Sequence, residues 1–251
     1  MFNLSGKIAL ITGASSGLGW NFCQTLAKNG AHVIAAARRA EKLDELVNII
    51  KQEGGSAEIL ELDVCSFECV KKQISALAKP IDILINNAGI ALETSIFEDD
   101  GQNTFEKIMQ TNLMGTWYVT KVVANMMKNH KIEGSIINIG SINGNAIPYI
   151  SGASYNASKA AVMHMTKSLV GELSPHKIRI NAISPGFFKT DMTKDIPSEK
   201  LSQKIPLRFI ANPSELDGTI LYLASNKASK YVTGTVITVD GGISWGGHEP
   251  L

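Results

Sequence analysis

Long apolar runs, paired cysteines, aromatic residues and an excess of either charge are all scarce here. No uninterrupted apolar stretch reaches about 18 residues, so no membrane-spanning helix is expected. Residues 1–13 lack a basic start, a long apolar stretch and a small-residue cleavage site, so no secretory leader is expected. Three cysteines (Cys23, Cys65 and Cys69) are too few for a disulfide scaffold and fit a reducing cytoplasm. Cys65 and Cys69 stand four apart, but no second Cys/His pair completes a zinc set. None of the five histidines, His248 included, sits in a metal motif, and no metal site is expected. The 24 Lys+Arg and 23 Asp+Glu leave a net charge of +1, too little to neutralise nucleic-acid phosphates. What is present is a 44% hydrophobic content over 251 residues, enough for a sizeable core and against disorder. No linker, repeat or low-complexity tract divides the chain, so one domain over 1–251 is expected.

Short apolar runs alternate with helical patterns. The runs are Lys7–Thr12, His32–Ala37, Ala57–Leu62, Ile81–Asn86, Ser135–Ile139, Ile178–Ile183 and Thr235–Val239. Most are near-continuous rather than alternating, as in parallel strands covered on both faces. The 3.6-residue pattern predicts helices over 17–29, 40–53, 67–78, 102–130, 154–174 and 214–224, with Gly30 and Gly54 as stops. Strand–helix alternation builds right-handed βαβ units and one doubly wound sheet.

The first strand runs directly into Thr12-Gly13-Ala14-Ser15-Ser16-Gly17-Leu18-Gly19. A glycine turn before a helix lets backbone N–H groups and the helix dipole meet a pyrophosphate. The spacing is GxxxGxG, and a plain strand–helix turn is the competing reading. Strand two ends in Ala37-Arg38-Arg39, where an acid would bind the adenosine ribose and repel a 2′-phosphate. Two guanidiniums instead suit that phosphate, so NADP(H) is expected over NAD(H), which stays possible. The alternative is that Arg38 and Arg39 open a solvated helix with Glu41 and Asp44 as partners.

Tyr155 and Lys159 lie four apart near the start of a predicted helix and so share a face. An ammonium roughly 5 Å from a phenol, at an effective dielectric of about 20, contributes about 3 kcal/mol. That lowers a tyrosine pKa by a little over two units and gives a general acid/base. Ser141 follows the Ser135–Ile139 strand, where strand ends edge a ligand crevice, and can bond a substrate oxygen. Taken singly, each of the three also reads as an ordinary turn, helix or surface residue.

Together, Thr12–Gly19, Asn86-Asn87-Ala88-Gly89, Asn112, Ser141, Tyr155-x-x-x-Lys159 and Pro185-Gly186 resemble the short-chain dehydrogenase/reductase family, from about Lys7 to Gly242. The resemblance implies a single-domain Rossmann-type fold: a doubly wound parallel seven-stranded sheet with helices on both faces. It implies that Tyr155 is the catalytic acid/base, that Lys159 holds the nicotinamide ribose, and that Ser141 polarises the substrate oxygen. Asn112 would hold a water linking Lys159 to solvent. The cofactor would lie on Gly13, Ser15, Ser16, Gly17, Leu18 and Gly19, with Asp63 and Val64 at adenine. Asn87, Ala88 and Gly89 would flank the adenosine ribose; Pro185, Gly186, Phe188 and Thr190 would hold the carboxamide side. A homo-oligomer, tetramer or dimer, is also implied. Two departures stand out. Ser16 occupies a position that is basic in many NADP(H)-preferring members, and the Ser141–Tyr155 gap is one residue longer than is usual among ketoacyl-carrier reductases.

Residues 187–212 are expected to form an irregular lid rich in apolar side chains, among them Phe187, Met192, Ile196 and Leu201. Between 187 and 210 five Lys/Arg stand against three Asp/Glu, compatible with an anionic or carrier-linked substrate. The expected reaction is hydride transfer between a carbonyl and a secondary alcohol, with a 3-oxoacyl thioester on acyl carrier protein as the leading substrate. Sugars, polyols and hydrophobic ketones stay open, as does a dinucleotide-binding regulator without turnover.

Overall fold

The structure is a computed structural model, and it describes residues 1–93, 95–97, 101–146, 152–194 and 198–246. Seven strands pair in parallel: β1 (Ile8–Thr12), β2 (His32–Ala37), β3 (Ser56–Glu61), β4 (Ile83–Asn86), β5 (Ser135–Ile139), β6 (Arg179–Pro185) and β7 (Val236–Val239). The order is β3-β2-β1-β4-β5-β6-β7. Every residue of β1, β4, β5 and β6 is buried, which is why those segments read as unbroken apolar runs. β3 closes one edge, and its Glu58, Ile59 and Glu61 are exposed. The winding reverses between β1 and β4, and that reversal opens a crevice at the strand C-termini.

Helices α1 (Gly17–Lys28), α2 (Ala40–Gln52) and α9 (Asp217–Ala224) bury Phe22, Leu26, Leu46 and Ile220 against one face. On the other, α3 (Phe67–Ser75) and α5 (Gly115–Asn129) bury Val70, Ile74, Val123 and Met127. α1 ends where expected, with Gly30 at φ +93°, a left-handed turn that glycine enters freely.

Three expected helices are interrupted. The 102–130 pattern resolves into α4 (Gly101–Met109), a π turn over Gln110–Met114, and α5. A π turn inserts one residue without breaking the apolar stripe, so periodicity alone does not reveal it. The 154–174 pattern is α6 (Ala153–Ser168), then α7 (Val170–Leu173), and 214–224 begins with a 3₁₀ turn carrying Pro213 before α9. The lid segment is less irregular than expected, since it contains α8 (Ser198–Lys204); Ile196 of that segment and the terminal His248 lie outside the described residues. Two further short helices, α10 (Asn226–Ser229) and α11 (Ile243–Gly246), precede and follow β7. Among the described residues, no helix is long and apolar enough to cross a membrane, and no group of three or more potential ligands converges on a metal position.

Candidate active site

The strand ends edge a cleft of about 550 Å³. All the residues expected to contact a dinucleotide line it except Gly19. Gly19 lies beneath the loop, where a Cβ would come within 2.4 Å of the Gly13 carbonyl oxygen. Gly13 and Gly17 take φ of +67° and +56°, the left-handed region. Asn87 fastens this turn: its Nδ2 donates to the carbonyls of Thr12 (3.0 Å) and Gly13 (3.2 Å). The amide is therefore committed to shaping the loop. Thr12 Oγ1 completes the clasp by accepting from the backbone N–H groups of Asn87 and Ala88.

At the adenosine end, Arg39 donates to Ser15 Oγ (2.8 Å) and Ser16 Oγ (3.1 Å). Its side chain thus lies across the glycine loop at the exposed rim of the cleft. Arg38 lines the same cleft. Asp63 caps its own turn, its Oδ1 accepting from Cys65 N–H at 3.0 Å. Backbone N–H groups at a helix start, two serines and two guanidiniums form a donor set of the kind a phosphorylated dinucleotide requires.

At the other end, Ser141, Tyr155 and Lys159 share one wall. Ser141 caps a 3₁₀ turn (Ile142–Gly144) directly after β5, and the start of α6 supplies the other two. Lys159 is buried; its Nζ lies 5.8 Å from the Tyr155 ring centroid and donates to the Ile139 carbonyl at 2.8 Å. Burial pushes the Lys159 ammonium down to about 8. Burial also raises the Tyr155 phenol above its ordinary value, and the hydrogen bond with Ser141 works in the opposite sense. This corrects the expectation of a phenol made two units more acidic by the ammonium alone: the Coulomb reckoning left out desolvation, which penalises both charged forms.

Asn112 is buried behind this wall, in the π turn. Its Oδ1 accepts from Ile90 N–H (2.8 Å), and its Nδ2 donates to the Ile90 carbonyl (2.9 Å) and Ser158 Oγ (3.0 Å). The side chain thus ties the loop after β4 to α6, and Oδ1 lies close to Gly89. Two contributors went unread in the sequence. Asn143 brackets the Ser141 hydroxyl, and Gly144 lets the 3₁₀ turn press on α6, where a Cβ would meet Ala160 N at 2.4 Å. Their one sequence signal was position, two and three residues after Ser141.

A doubly wound parallel sheet with a glycine loop at one end of its crevice and a Ser/Tyr/Lys wall at the other defines a dinucleotide-dependent oxidoreductase. The sequence profile of the short chain dehydrogenase family matches residues 7–201, and the chain belongs to that family, whose enzymes act on CH–OH/C=O pairs with NAD(P). Among relatives, the 3-oxoacyl-[acyl-carrier-protein] reductase of Thermotoga maritima is 38% identical over 253 residues, covering 96% of this chain and 98% of the relative. A short-chain dehydrogenase/reductase from Mycobacterium marinum superposes with a TM-score of 0.92 at 37% identity, covering 97% and 98% of the two chains. A gluconate 5-dehydrogenase from Burkholderia cenocepacia, solved with NADP and tartrate, gives 0.89 at 33% identity, with 96% of each chain covered.

Proposed function

We propose that this protein interconverts a carbonyl and a secondary alcohol with NADP(H), and that its substrate is a 3-oxoacyl thioester presented on a carrier. The observation that carries the reading is the convergence of Ser141, Tyr155 and Lys159 on one wall of a cleft whose far end holds Arg38 and Arg39. When bound, the nicotinamide cofactor supplies or takes the hydride. The chain's own residues do the rest. Tyr155 hands its hydroxyl proton to the substrate oxygen in reduction and takes it back in oxidation. Ser141 bonds that oxygen while charge develops on it. Lys159, anchored on the Ile139 carbonyl, keeps a cation beside the phenol. Arg39, held across Ser15 and Ser16, and Arg38 favour a 2′-phosphate.

The cleft also exposes Ile90, Ala91, Leu92 and Met192. An apolar wall suits an acyl chain better than a polyol, whose hydroxyls would lose water without gaining partners. The gluconate 5-dehydrogenase likeness favours a second reading, a sugar acid. A panel of acetoacetyl thioesters, 5-ketogluconate and cyclic ketones, each with NADPH and NADH, is read at 340 nm. The thioester with NADPH is expected to give the largest kcat/KM; turnover of 5-ketogluconate alone would reverse the choice. A cytoplasmic homo-oligomer belongs to the same reading, supported by exposed Ile96, Phe97 and Trp245, apolar surface of the kind that subunit contacts cover.

A further inference from the structure

We infer that Asn143 is a positioning residue that sets which way the Ser141 hydroxyl points. The inference rests on reading Ser141 and Tyr155 as the reacting pair. A serine hydroxyl has one proton to give and two lone pairs. Here Asn143 engages it twice: its backbone N–H donates to Ser141 Oγ at 3.1 Å, and its Oδ1 accepts the Ser141 proton at 3.0 Å. Ser141 also hydrogen-bonds Tyr155. With its proton held by Asn143, Ser141 meets the phenol as an acceptor, and the Tyr155 O–H is the donor. Held that way, the proton is withheld from a phenolate, to which donation by Ser141 would lower the Tyr155 pKa. To donate to a phenolate or to a substrate oxygen, the hydroxyl must swing off Asn143 Oδ1. Asn143 does not line the cleft.

Charge elsewhere does not duplicate this control. The titratable groups sharing the cleft with Tyr155 are Lys159 on its own helix, Asp191 after β6, and Arg38, Arg39, Asp63 and Cys65 around the adenosine end. Among the described residues, Ser141 Oγ is held by Asn143, not by any of these groups, and lies beside Tyr155. Removing the Asn143 acceptor should free the Ser141 proton for the phenolate. Replacing it with a carboxylate should hold that proton harder and place a like charge near the phenolate.

The test is a tyrosinate titration at 295 nm on the whole protein, Tyr155 being isolated by subtracting the matched Tyr155→Phe protein from a chain with five tyrosines. Asn143→Ala is expected to lower the Tyr155 pKa by about half a unit, roughly threefold in ionisation constant, and Asn143→Asp to raise it by at least as much. In a Ser141→Ala background the Asn143→Ala shift should vanish. An unchanged pKa in Asn143→Ala, or an equal shift without Ser141, overturns the inference. If Asn143→Ala does not fold, the Asn143→Asp pair with and without Ser141 decides on the same criteria. The readout needs no turnover, so failure here is distinct from failure of the substrate assignment, which the 340 nm panel reports.

Discussion

Burying an ammonium beside a phenol penalises the charged form of both, and that tension shapes the residue-scale behaviour. Lys159 titrates near 8 in the folded chain and near 10.5 when unfolded, so between those values the unfolded state binds more protons. Stability from this group therefore rises with pH across that window. Relative to Lys159→Met, the parent should gain about 3 kcal/mol between pH 7 and 11 in urea unfolding; a flat difference would contradict the burial argument. Tyr155, raised by burial, should ionise above pH 10 in the cofactor-free protein, and NADP⁺ should bring it down by supplying positive charge to the site. Tyr155→Phe should lower kcat by about 10²–10⁴-fold while NADPH affinity, followed by fluorescence, stays within a few-fold. At the other end of the cleft, Arg39→Ala should weaken NADPH binding more than NADH binding if, as proposed, the guanidinium meets the phosphate that only NADPH carries. Equal losses for both would reassign Arg39 to holding the loop.

At the scale of elements, the site depends on the 3₁₀ turn after β5 pressing on α6. A methyl at Gly144 would come within 2.4 Å of Ala160 N and 2.7 Å of the Lys159 carbonyl carbon, both backbone atoms that cannot swing aside. Gly144→Ala should therefore displace α6 at Lys159 and Ala160 and destabilise by about 1–3 kcal/mol. Activity should fall further than stability explains, in assays well below the unfolding temperature. An alanine with parental kinetics would show that the turn does not set the position of Lys159. The π turn works similarly from the other side, since it holds Asn112 where one side chain reaches both Ile90 and Ser158.

Across the whole molecule, the last third is bound to the sheet through Arg179. This buried guanidinium on β6 donates to the Leu223 carbonyl (2.8 Å) and Asn226 Oδ1 (2.7 Å), joining α9 and α10 to the strand. Burial lowers it to about 10, still charged at neutral pH. Arg179→Met takes the guanidinium from Asn226 Oδ1 and leaves the Leu223 carbonyl with Ser135 Oγ as its remaining close donor. It should lower the urea midpoint by an amount equivalent to about 1–3 kcal/mol at an unchanged denaturant slope. A changed slope would mean that the C-terminal elements come loose separately.

By itself the sequence determined the sheet and singled out the groups proposed to react. Unbroken apolar strands, helical periodicity and fixed spacings are local properties, and Gly13, Ser141, Tyr155 and Lys159 fell where those properties put them. Contacts between segments far apart in the chain were legible only in the folded molecule: Arg39 lying on Ser15 and Ser16, Asn112 clamping Ile90, Gly144 seated on α6. So was the balance at Tyr155. Attraction between a phenol and an ammonium follows from spacing on one helix, whereas the opposing cost of leaving water depends on every element that closes over them.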